Sequence, residues 1–203
     1  MSRVRTRPTR DDTREKLFEA ATRVFEEQGI GGASVEIIAA AAGFTRGAFY
    51  SNFKSKDELI IAMLEDHVEQ SIERMHGLLA EHRTPADFIE ALRTMDRSRQ
   101  DPLGRSPLLH MEMILFVARA EKRRPELAKR LRARRKLIAD IVETTSKNSG
   151  RNPALNPAWA GAVVLAMEDG FRLHRLIDPE TTPADSFLRA ISDLQRAIGI
   201  SSA

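Results

Sequence analysis

Apolar residues recur along most of the chain at intervals of three and four, the spacing of an amphipathic helix. The first series ends at Gly29, a stop signal, and predicts a helix over about 10–28 from Leu17, Ala20, Ala21, Val24 and Phe25. The longest series, over 59–79, covers about six helical turns. Shorter series follow over 88–95, 108–115, 127–141, 159–174 and 187–198, and no run alternates as a strand does. The pattern therefore predicts an all-α protein of about nine helices.

Residues that favour helix starts precede several of these series. Ser55 and Glu58 have the spacing of a capping box, in which the Ser55 hydroxyl and the Glu58 carboxylate each accept a backbone N–H. Pro125 is expected to open another helix. A capping oxygen before a proline predicts four more starts, at Thr84-Pro85, Ser106-Pro107, Asn156-Pro157 and Thr182-Pro183. A loop is predicted over 147–153, where Gly, Ser, Asn and Pro cluster.

The composition of the 203 residues is that of a globular protein, with 42% hydrophobic and 30% charged residues. The chain contains no cysteine, which excludes disulfide scaffolds, thiol catalysis and cysteine-ligated metals. The longest uncharged apolar stretch, 158–167, is far shorter than the roughly 20 residues that span a bilayer. No apolar segment typical of a secretory signal follows the first arginines. We therefore expect a cytoplasmic protein that has no membrane partner.

Enzyme signatures in the sequence are weak. Ser51 and Lys54 have the Ser-x-x-Lys spacing of acyl-serine enzymes, but the partner motifs of those enzymes are missing. Gly29, Gly31 and Gly32 lack the spacing of a dinucleotide-binding loop and do not follow a predicted strand. The five histidines form no zinc-protease pattern. We therefore predict no catalytic residue, no metal site and no cofactor.

The segment 34–53 has the pattern of two short helices joined by a glycine turn. Ser34 is placed to cap a helix over 35–41, and Thr45 to cap a second helix over about 46–52. Gly43 can take the left-handed conformation that closes the first helix. Phe49 and Phe53 are available to face inward. This is the plan of a helix-turn-helix, whose second helix enters the DNA major groove with its N-terminal residues at the base edges.

The residue types on the second helix fit DNA recognition. Arg46 can donate two hydrogen bonds to guanine O6 and N7. The small residues Gly47 and Ala48 allow the backbone to approach the bases, although Ala48 is explained equally well as a core residue. Hydroxyl groups, helix-end N–H groups and lysines suit phosphate oxygens, but Tyr50 packing and a solvated Lys54 are alternatives. The predicted DNA-contacting residues are Ser34, Thr45, Arg46, Gly47, Ala48, Tyr50, Ser51, Asn52, Lys54 and Lys56.

In these residues the chain resembles the DNA-binding domain of the TetR family of bacterial transcriptional regulators, especially multidrug-efflux repressors of the AcrR type. The similarity covers about 12–62, where Phe44 replaces the more usual valine, and rests on Ser34-Val35-x-x-Ile38-Ala39-x-x-Ala42-Gly43-Phe44-Thr45-Arg46-Gly47-Ala48-Phe49-Tyr50-x-x-Phe53-Lys54-x-Lys56-x-x-Leu59. The resemblance implies a three-helix DNA-binding domain over 1–54 and a helical ligand-binding and dimerisation domain over 55–203. It also implies a repressor that a small-molecule effector releases from a palindromic, double-stranded DNA operator.

The resemblance further implies a homodimer formed by the last two helices, about 156–177 and 182–198. Such a dimer would place its two recognition helices about 34 Å apart, on successive major grooves. The first of these helices contains small residues that permit close helix approach, although filling of the monomer core explains them as well: Ala158, Ala160, Gly161, Ala162, Ala166 and Gly170.

A ligand pocket among the middle helices is also implied by the resemblance. Methionine adapts to varied ligand shapes, and six of the seven methionines lie between 63 and 167. Core packing explains most of these residues equally well, and no charged constellation indicates the charge of the ligand. The candidate pocket residues are Met63, His67, Phe88, Leu92, Met95, Met111, Phe116, Trp159, Met167, Phe171 and His174.

Basic residues cluster in two segments, although the formal net charge is only +3. An N-terminal arm with Arg3, Arg5, Arg7 and Arg10 is expected to contact phosphates or the minor groove. The segment 122–136 contains nine basic residues and one acid. We interpret it as a solvated helix face, with Leu127 and Leu131 on the buried side, in preference to a second DNA site.

Overall fold

The computed structural model describes residues 9–94, 106–148, 150 and 155–197, and every regular element in these ranges is helical. The all-α prediction with about nine helices is confirmed for this part of the chain. The elements are α1 (Arg10–Gly32), α2 (Val35–Ala41), α3 (Arg46–Tyr50), α4 (Lys56–Glu81), α5 (Pro85–Thr94), α6 (Pro107–Arg119), a 3-10 turn (Glu121–Arg123), α7 (Arg124–Asn148), α8 (Pro157–Ile177) and α9 (Ser186–Ala197).

Some predictions concern residues outside the described ranges and stay predictions. They are the DNA contacts of Arg3, Arg5 and Arg7, the pocket position of Met95, most of the loop over 147–153 and the end of the last helix at 198.

Helix α1 follows its predicted pattern closely. Thr9 and Asp12 form a capping box, in which each backbone N–H donates to the other side chain at 2.9–3.1 Å. Gly29 interrupts the helix with φ +70°, at the predicted stop, and helical turns resume as far as Gly32. A glycine is needed at this point because other residues rarely adopt a positive φ.

Several of the predicted helix caps are confirmed. The Thr84 hydroxyl accepts the Asp87 N–H at 3.2 Å, and the Asn156 side chain accepts from two N–H groups of the first turn of α8. At α4 only half of the capping box forms. The Ser55 hydroxyl accepts the Glu58 N–H at 3.1 Å, but the Glu58 carboxylate accepts the N–H of Lys54, not that of Ser55.

Two predicted caps are wrong. Ser106 precedes α6 without a capping hydrogen bond, because its ψ of 75° differs from the 160° of the working cap Ser34. The last helix does not begin after Thr182 but at Ser186. Thr182 instead belongs to a turn that is closed by Asp178, whose carbonyl oxygen accepts the Thr182 N–H at 3.1 Å. A local Asp178 turn therefore replaces the predicted first turn of the helix.

The main hydrophobic core begins between α1, α2 and α3 and continues into the rest of the protein. Phe25, Ile38 and Phe49 belong to the same buried cluster as Leu59 of α4 and Met113 of α6. A smaller cluster joins α4, α5 and α7 around Phe88, Leu137 and Ile141. The hydrophobic core is therefore continuous across the predicted domain boundary between residues 54 and 55, because α4 and α6 pack directly on the N-terminal helices. The boundary itself stays a prediction.

Helices α7 and α8 form a close pair. A Cβ atom at Gly161 would overlap with the carbonyl oxygen of Arg135 on α7. Ala160 and Leu165 of α8 are also buried, whereas Ala158 and Ala166 are exposed. Gly161 and Ala160 thus serve packing within one chain, and only some of the small residues of α8 remain available to a partner.

Candidate DNA-binding surface and ligand-binding domain

The helix-turn-helix forms as the sequence predicts. The Ser34 hydroxyl accepts the Ile37 N–H at 3.2 Å, and the Thr45 hydroxyl accepts the Ala48 N–H at 3.2 Å. Gly43 has φ +74° in the turn between the helices. Helix α2 has its predicted bounds, and α3 ends at Tyr50, two residues before the predicted end. Local capping and one glycine therefore define the unit that presents α3.

Aromatic packing fixes the inner side of α3. Phe49 and Phe53 are 0% and 1% exposed, and their ring centroids lie 5.8 Å apart. Phe53 also stacks on Phe18 of α1 at 5.8 Å, and the guanidinium of Arg14 lies 4.8 Å from the centre of the Phe53 ring. Because these rings are enclosed, the orientation of α3 relative to α1 is rigidly set.

Arg46 stands on the outer side of α3, where its side chain is 65% exposed. Its Nε lies 3.1 Å from Glu36 Oε1 in an ion pair, and its guanidinium carbon lies 5.4 Å from the centre of the Tyr50 ring. The Tyr50 side chain and then the Glu36 charge raise the pKa of Arg46. A hydrogen bond from its own backbone N–H, more than the Arg46 charge, lowers the pKa of Glu36. The structure thus places an exposed cation at the position predicted for base contact.

Glu36 was not among the predicted site residues. It lies ten residues before Arg46 on a different helix, and no short motif links the two positions. From the sequence, an acid at the start of α2 indicates only a favourable interaction with the helix dipole; it does not indicate a contact with Arg46.

The other residues predicted to contact DNA differ in their exposure and in their hydrogen bonds. Gly47 and Lys54 are exposed, and Ala48 is half-buried, which fits both interpretations of that residue. The Ser51 hydroxyl and the Asn52 amide both donate to the carbonyl oxygen of Ala48, at 2.8 and 2.9 Å. Ser51 and Asn52 therefore close the C-terminal end of α3, and their contacts with DNA stay predictions.

Lys56 has a structural function that the sequence did not indicate. Its ammonium donates to the carbonyl oxygens of Ile30 and Ala33 at 2.6 and 2.8 Å. These carbonyls follow the kink of α1 at Gly29, so Lys56 ties the end of α1 to the start of α4. Its phosphate contact stays a prediction, and it would have to use the remaining N–H donor.

The candidate ligand-pocket residues do not share one environment. Met63 and Phe116 belong to the main core, and Phe88 and Leu92 to the smaller cluster. Met111, Met167 and Phe171 are half-buried. Their contact with a ligand stays a prediction.

Two pocket candidates lie at the surface. Trp159 lies in the first turn of α8 and is 63% exposed in the single chain, and its contact with a ligand stays a prediction. His174 is exposed near the end of α8, where it lines a surface cleft of about 220 Å³ with Ile177, Asp178, Thr181 and Thr182.

A charged network crosses the interior of the C-terminal helices. His67 of α4 is 7% exposed and lies against His110 of α6, with ring centroids 4.5 Å apart. Arg172 of α8 donates to His110 Nδ1 at 3.1 Å and to Glu168 at 2.9 Å. Arg134 of α7 pairs with the same Glu168 at 3.1 Å. We call these five residues the interior network; it links four helices, and only His67 was predicted from the sequence.

Burial affects the charges around the interior network. Desolvation raises the pKa of the neighbouring Asp169 carboxyl, although the charge of Arg134 opposes this effect.

The basic segment 122–136 also takes part in contacts between helices. Arg130 of α7 pairs with Glu65 of α4. Two arginines of the basic segment 122–136 thus bind acids of other helices. Leu131 is 38% exposed, so its predicted place on the buried side is wrong; Leu127 does pack against the core.

An apolar strip runs along the outward side of α8. Trp159, Leu173 and Ile177 lie on one helix face and are 63%, 42% and 74% exposed. Ala166, also exposed, lies between them on that face. We call these four residues the α8 strip. Its neighbour α9 has a half-buried apolar stripe of its own, which includes Phe187 and Ile191.

Within the described ranges, no helix is long and apolar enough to cross a membrane. No group of three or more His, Asp and Glu residues in that part of the chain is arranged to hold a metal ion.

Two family models match the chain. The model described as "Bacterial regulatory proteins, tetR family" matches residues 17–63, which include the helix-turn-helix. The model described as "Tetracyclin repressor-like, C-terminal domain" matches residues 83–197, more than half of the chain.

Similar proteins include named regulators. The transcriptional regulator TtgR of Pseudomonas putida is 35% identical over 91 residues, which are 45% of this chain and 41% of TtgR. AcrR of Shigella flexneri is 39% identical over 61 residues, which are 30% of this chain and 28% of AcrR. The aligned part is less than half of either relative.

The fold is similar to that of a solved structure, the reduced form of Escherichia coli NemR. The TM-score is 0.70 over 90% of this chain and 97% of NemR, at 22% identity, so this likeness concerns the fold alone. The two family matches cover both the helix-turn-helix and the helices that follow it. On this evidence the chain belongs to the TetR family of bacterial regulatory proteins.

Proposed function

We propose that this protein is a transcriptional repressor that binds a palindromic operator as a homodimer and leaves it when a small apolar or amphipathic ligand binds. The observation that carries the proposal is Arg46, exposed at the start of a helix whose other side is anchored by Phe49 and Phe53. An arginine held there can donate two hydrogen bonds to guanine in the major groove. Operator binding would place the protein in the cytoplasm. The relatives are named as transcriptional regulators, so we propose no catalytic residue.

Substitution of Arg46 tests operator recognition. An operator is first selected from random duplexes and from DNA beside the gene, and its affinity is compared with that of a shuffled duplex by fluorescence anisotropy at about 0.15 M salt. A specific regulator binds its operator at least about 10³ times more tightly than the shuffled duplex. Arg46→Ala should cost about 1–3 kcal/mol of operator binding and relax the preference at one base pair per half-site.

Arg83→Ala is the matched control, because Arg83 is an exposed arginine beyond α4 and far along the chain from α3. It changes the net charge equally and should leave the base preference unchanged. Unchanged operator binding by Arg46→Ala would contradict the proposed base contact. Equal affinity of the wild type for every duplex would instead favour a helical interaction protein that binds DNA without sequence preference, the alternative function.

The α8 strip supports the proposed homodimer. A helix face that exposes Trp159, Leu173 and Ile177 is unusual for a monomer surface, because contiguous apolar patches normally mark an interface. Ala166 on the same face permits a close approach of a second α8. Helix α9 packs beside α8 and extends the surface. A two-fold axis through this surface would pair each strip with its copy.

Disruption of the α8 strip should separate the protomers. We expect Leu173→Glu to give a monomer in sedimentation experiments, because an ionised carboxylate would be buried in the interface. Leu108→Glu is the control, since Leu108 is an exposed leucine on α6, 57% exposed against 42% for Leu173. The fluorescence of Trp159, the only tryptophan, should shift to longer wavelength when the wild-type dimer is diluted. A Leu173→Glu variant that remains dimeric would exclude this interface.

The proposed release by ligand needs a connection between the two ends of the protein. Helix α6 supplies one, because Met113 and Val117 belong to the same buried cluster as Phe25 of α1. The same buried side of α6, one to two turns nearer its N-terminus, holds His110 of the interior network. A ligand that rearranged the C-terminal helices would move α6 and, through the shared core, the DNA-binding helices. Binding would then favour a state with unsuitable spacing of the recognition helices.

A ligand screen against the preformed operator complex tests this switch. Hydrophobic and amphipathic compounds are added, and release is followed by the fall in anisotropy. By thermodynamic linkage, an effector that weakens operator binding must itself bind the operator complex more weakly, by the same factor. A compound that binds the protein tightly but leaves operator affinity unchanged would contradict the switch for that compound.

A further inference from the structure

We propose that Glu36 is a specificity-determining residue, which positions the Arg46 guanidinium for base contact and opposes DNA binding that is independent of sequence. The inference rests on the proposed operator binding and deepens it, since it assigns a function to a residue of α2 that the base-contact prediction did not include.

The ion pair brings Glu36 to the side of the Arg46 guanidinium that is nearest the stem. Glu36 Oε1 lies 3.1 Å from Arg46 Nε in an ion pair. A guanidinium has five N–H donors, and the closest approach of Glu36 is to the nitrogen nearest the stem. The two terminal amino groups, which can bind guanine O6 and N7 together, point away from the stem. Glu36 therefore fixes the orientation of the group without occupying the edge that bonds to the base.

Tyr50 restricts the same guanidinium from a second direction. Its ring centre lies 5.4 Å from the guanidinium carbon, and the ring packs in turn on Phe49 with centroids 5.6 Å apart. Phe49 is fully buried, so this support is continuous with the core. A long side chain that is held by two neighbours loses less conformational entropy when it binds a base. The arrangement makes Arg46 preorganised, although it is 65% exposed.

The charge of Glu36 has a separate effect on binding. Its side chain is 54% exposed on the surface that presents Arg46, so it faces the phosphates of any duplex that α3 approaches. Repulsion from phosphates weakens all duplexes alike, whereas positioning of Arg46 strengthens only those with guanine at the correct place. Only the positioning therefore raises the ratio of operator affinity to non-specific affinity, whereas the repulsion lowers the affinity for both kinds of duplex.

A helix-stabilising function alone would also account for an acid at this position. Glu36 lies in the first turn of α2, where a negative charge interacts favourably with the helix dipole. Glu36→Asp separates the two functions, because the shorter side chain keeps the charge in the first turn but withdraws the carboxylate from Arg46. Glu36→Gln removes the charge. Glu69→Gln is the charge-matched control, since Glu69 is exposed on α4.

The test measures operator and shuffled-duplex affinities for the full-length wild type and these variants, together with thermal stability. Glu36→Asp should lower the affinity ratio about two- to fivefold, the effect of an exposed ion pair, with unchanged binding to the shuffled duplex. Glu36→Gln should lower the ratio by at least as much and tighten shuffled-duplex binding. The lost discrimination should be confined to the base pair that Arg46→Ala affects. Glu69→Gln should leave the ratio unchanged.

A double-mutant cycle completes the test. In the Arg46→Ala background, Glu36→Asp should no longer change the ratio, because the group that it positions is absent. The positioning function would be overturned if Glu36→Asp kept the wild-type ratio of operator affinity to shuffled-duplex affinity. It would also be overturned if Glu36→Gln increased the affinities for both duplexes by the same factor. If the wild type has no preferred duplex, the proposed operator binding itself fails. The two failures are therefore distinguishable.

Discussion

The two ends of the protein have interiors of different chemistry. Around the recognition helix the interior is aromatic and closed to solvent, with Phe25, Phe49 and Phe53 no more than 1% exposed. Between α7 and α8 the interior is charged and partly open, with the side chains of Arg134, Glu168 and Arg172 14%, 20% and 23% exposed. Close-packed rings permit one arrangement, whereas hydrogen-bonded charges have a small set of alternative partners.

This difference matches what each end is proposed to do. A recognition helix must hold Arg46 at a fixed place relative to the groove, so rigid packing of α3 favours discrimination among bases. A domain that responds to a ligand needs a second arrangement of similar free energy. The interior network, which spans α4, α6, α7 and α8, is the place where the structure offers exchangeable partners.

The largest expected effect is truncation of the aromatic core. Phe53→Ala removes a buried ring between Phe18 and Phe49, and it should lower the free energy of unfolding by about 3–5 kcal/mol. Urea unfolding at fixed protein concentration measures this. Leu115→Ala, at a side chain that is 54% exposed, is the control and should change stability by less than about 1 kcal/mol. A small loss for Phe53→Ala would show that the N-terminal core is not rigidly packed.

The next largest effect is expected from a substitution at the close contact of α7 and α8. Gly161→Ala should cost about 1–3 kcal/mol of stability, because the added methyl group overlaps with the Arg135 carbonyl and α8 must shift. Gly77→Ala is the matched control, since Gly77 is exposed inside α4 with no atom within 4 Å of the added group. That substitution should stabilise the protein by about 0.5–1 kcal/mol. Equal gains for both variants would mean that the α7–α8 pair is loosely packed.

Removal of one charge should test the interior network. Glu168→Gln leaves Arg134 and Arg172 without their shared carboxylate, and it should lower stability by about 1–3 kcal/mol, between exposed and fully buried ion pairs. Glu143→Gln removes an exposed partner of Lys147 and should cost less than about 0.5 kcal/mol. Thermal unfolding of both variants measures the difference. Equal losses of stability for Glu168→Gln and Glu143→Gln would show that the ion pairs of the interior network contribute no more than an exposed ion pair.

The smallest effect concerns pH. Burial raises the pKa of Asp169, so its ionised form destabilises the folded protein at neutral pH. Asp169→Asn should therefore increase stability at pH 7, by less than about 1 kcal/mol after solvent screening. As the pH falls through the raised pKa towards 3.8, the wild type becomes protonated and the difference should vanish. If the difference in stability between Asp169→Asn and the wild type is the same at pH 7 and pH 4, the change in stability comes from packing and not from the charge of Asp169.

Much of the candidate DNA-binding site could be predicted from the sequence. Ser34, Gly43 and Thr45 each act on backbone groups only a few residues away, so α2 and the turn were located correctly. The inward positions of Phe49 and Phe53 followed from helical periodicity. The family resemblance rested on the same segment and is confirmed.

The sequence was much less informative about the C-terminal helices. Its periodicity located α7 and α8, but it placed Leu131 on the wrong side and did not indicate that Trp159 is 63% exposed. Glu168 and Arg172 have the i,i+4 spacing of an ion pair within one helix, but nothing in the sequence indicated that Arg134 meets Glu168. The contact of Arg134 with Glu168 depends on the packing of α7 against α8, which approach each other closely at Gly161.

The sequence by itself determined the helices, most of their caps, the glycine turn and the family. These features depend on hydrogen bonds and side-chain spacing within one or two helical turns, which a single segment encodes. Only the tertiary structure decided that Glu36 holds Arg46, that Lys56 ties α1 to α4 and that Glu168 joins two arginines. Apart from the local pair of Glu168 with Arg172, those contacts join residues 10 to 34 positions apart on packed elements, because helix packing, and not local propensity, sets which side chains meet.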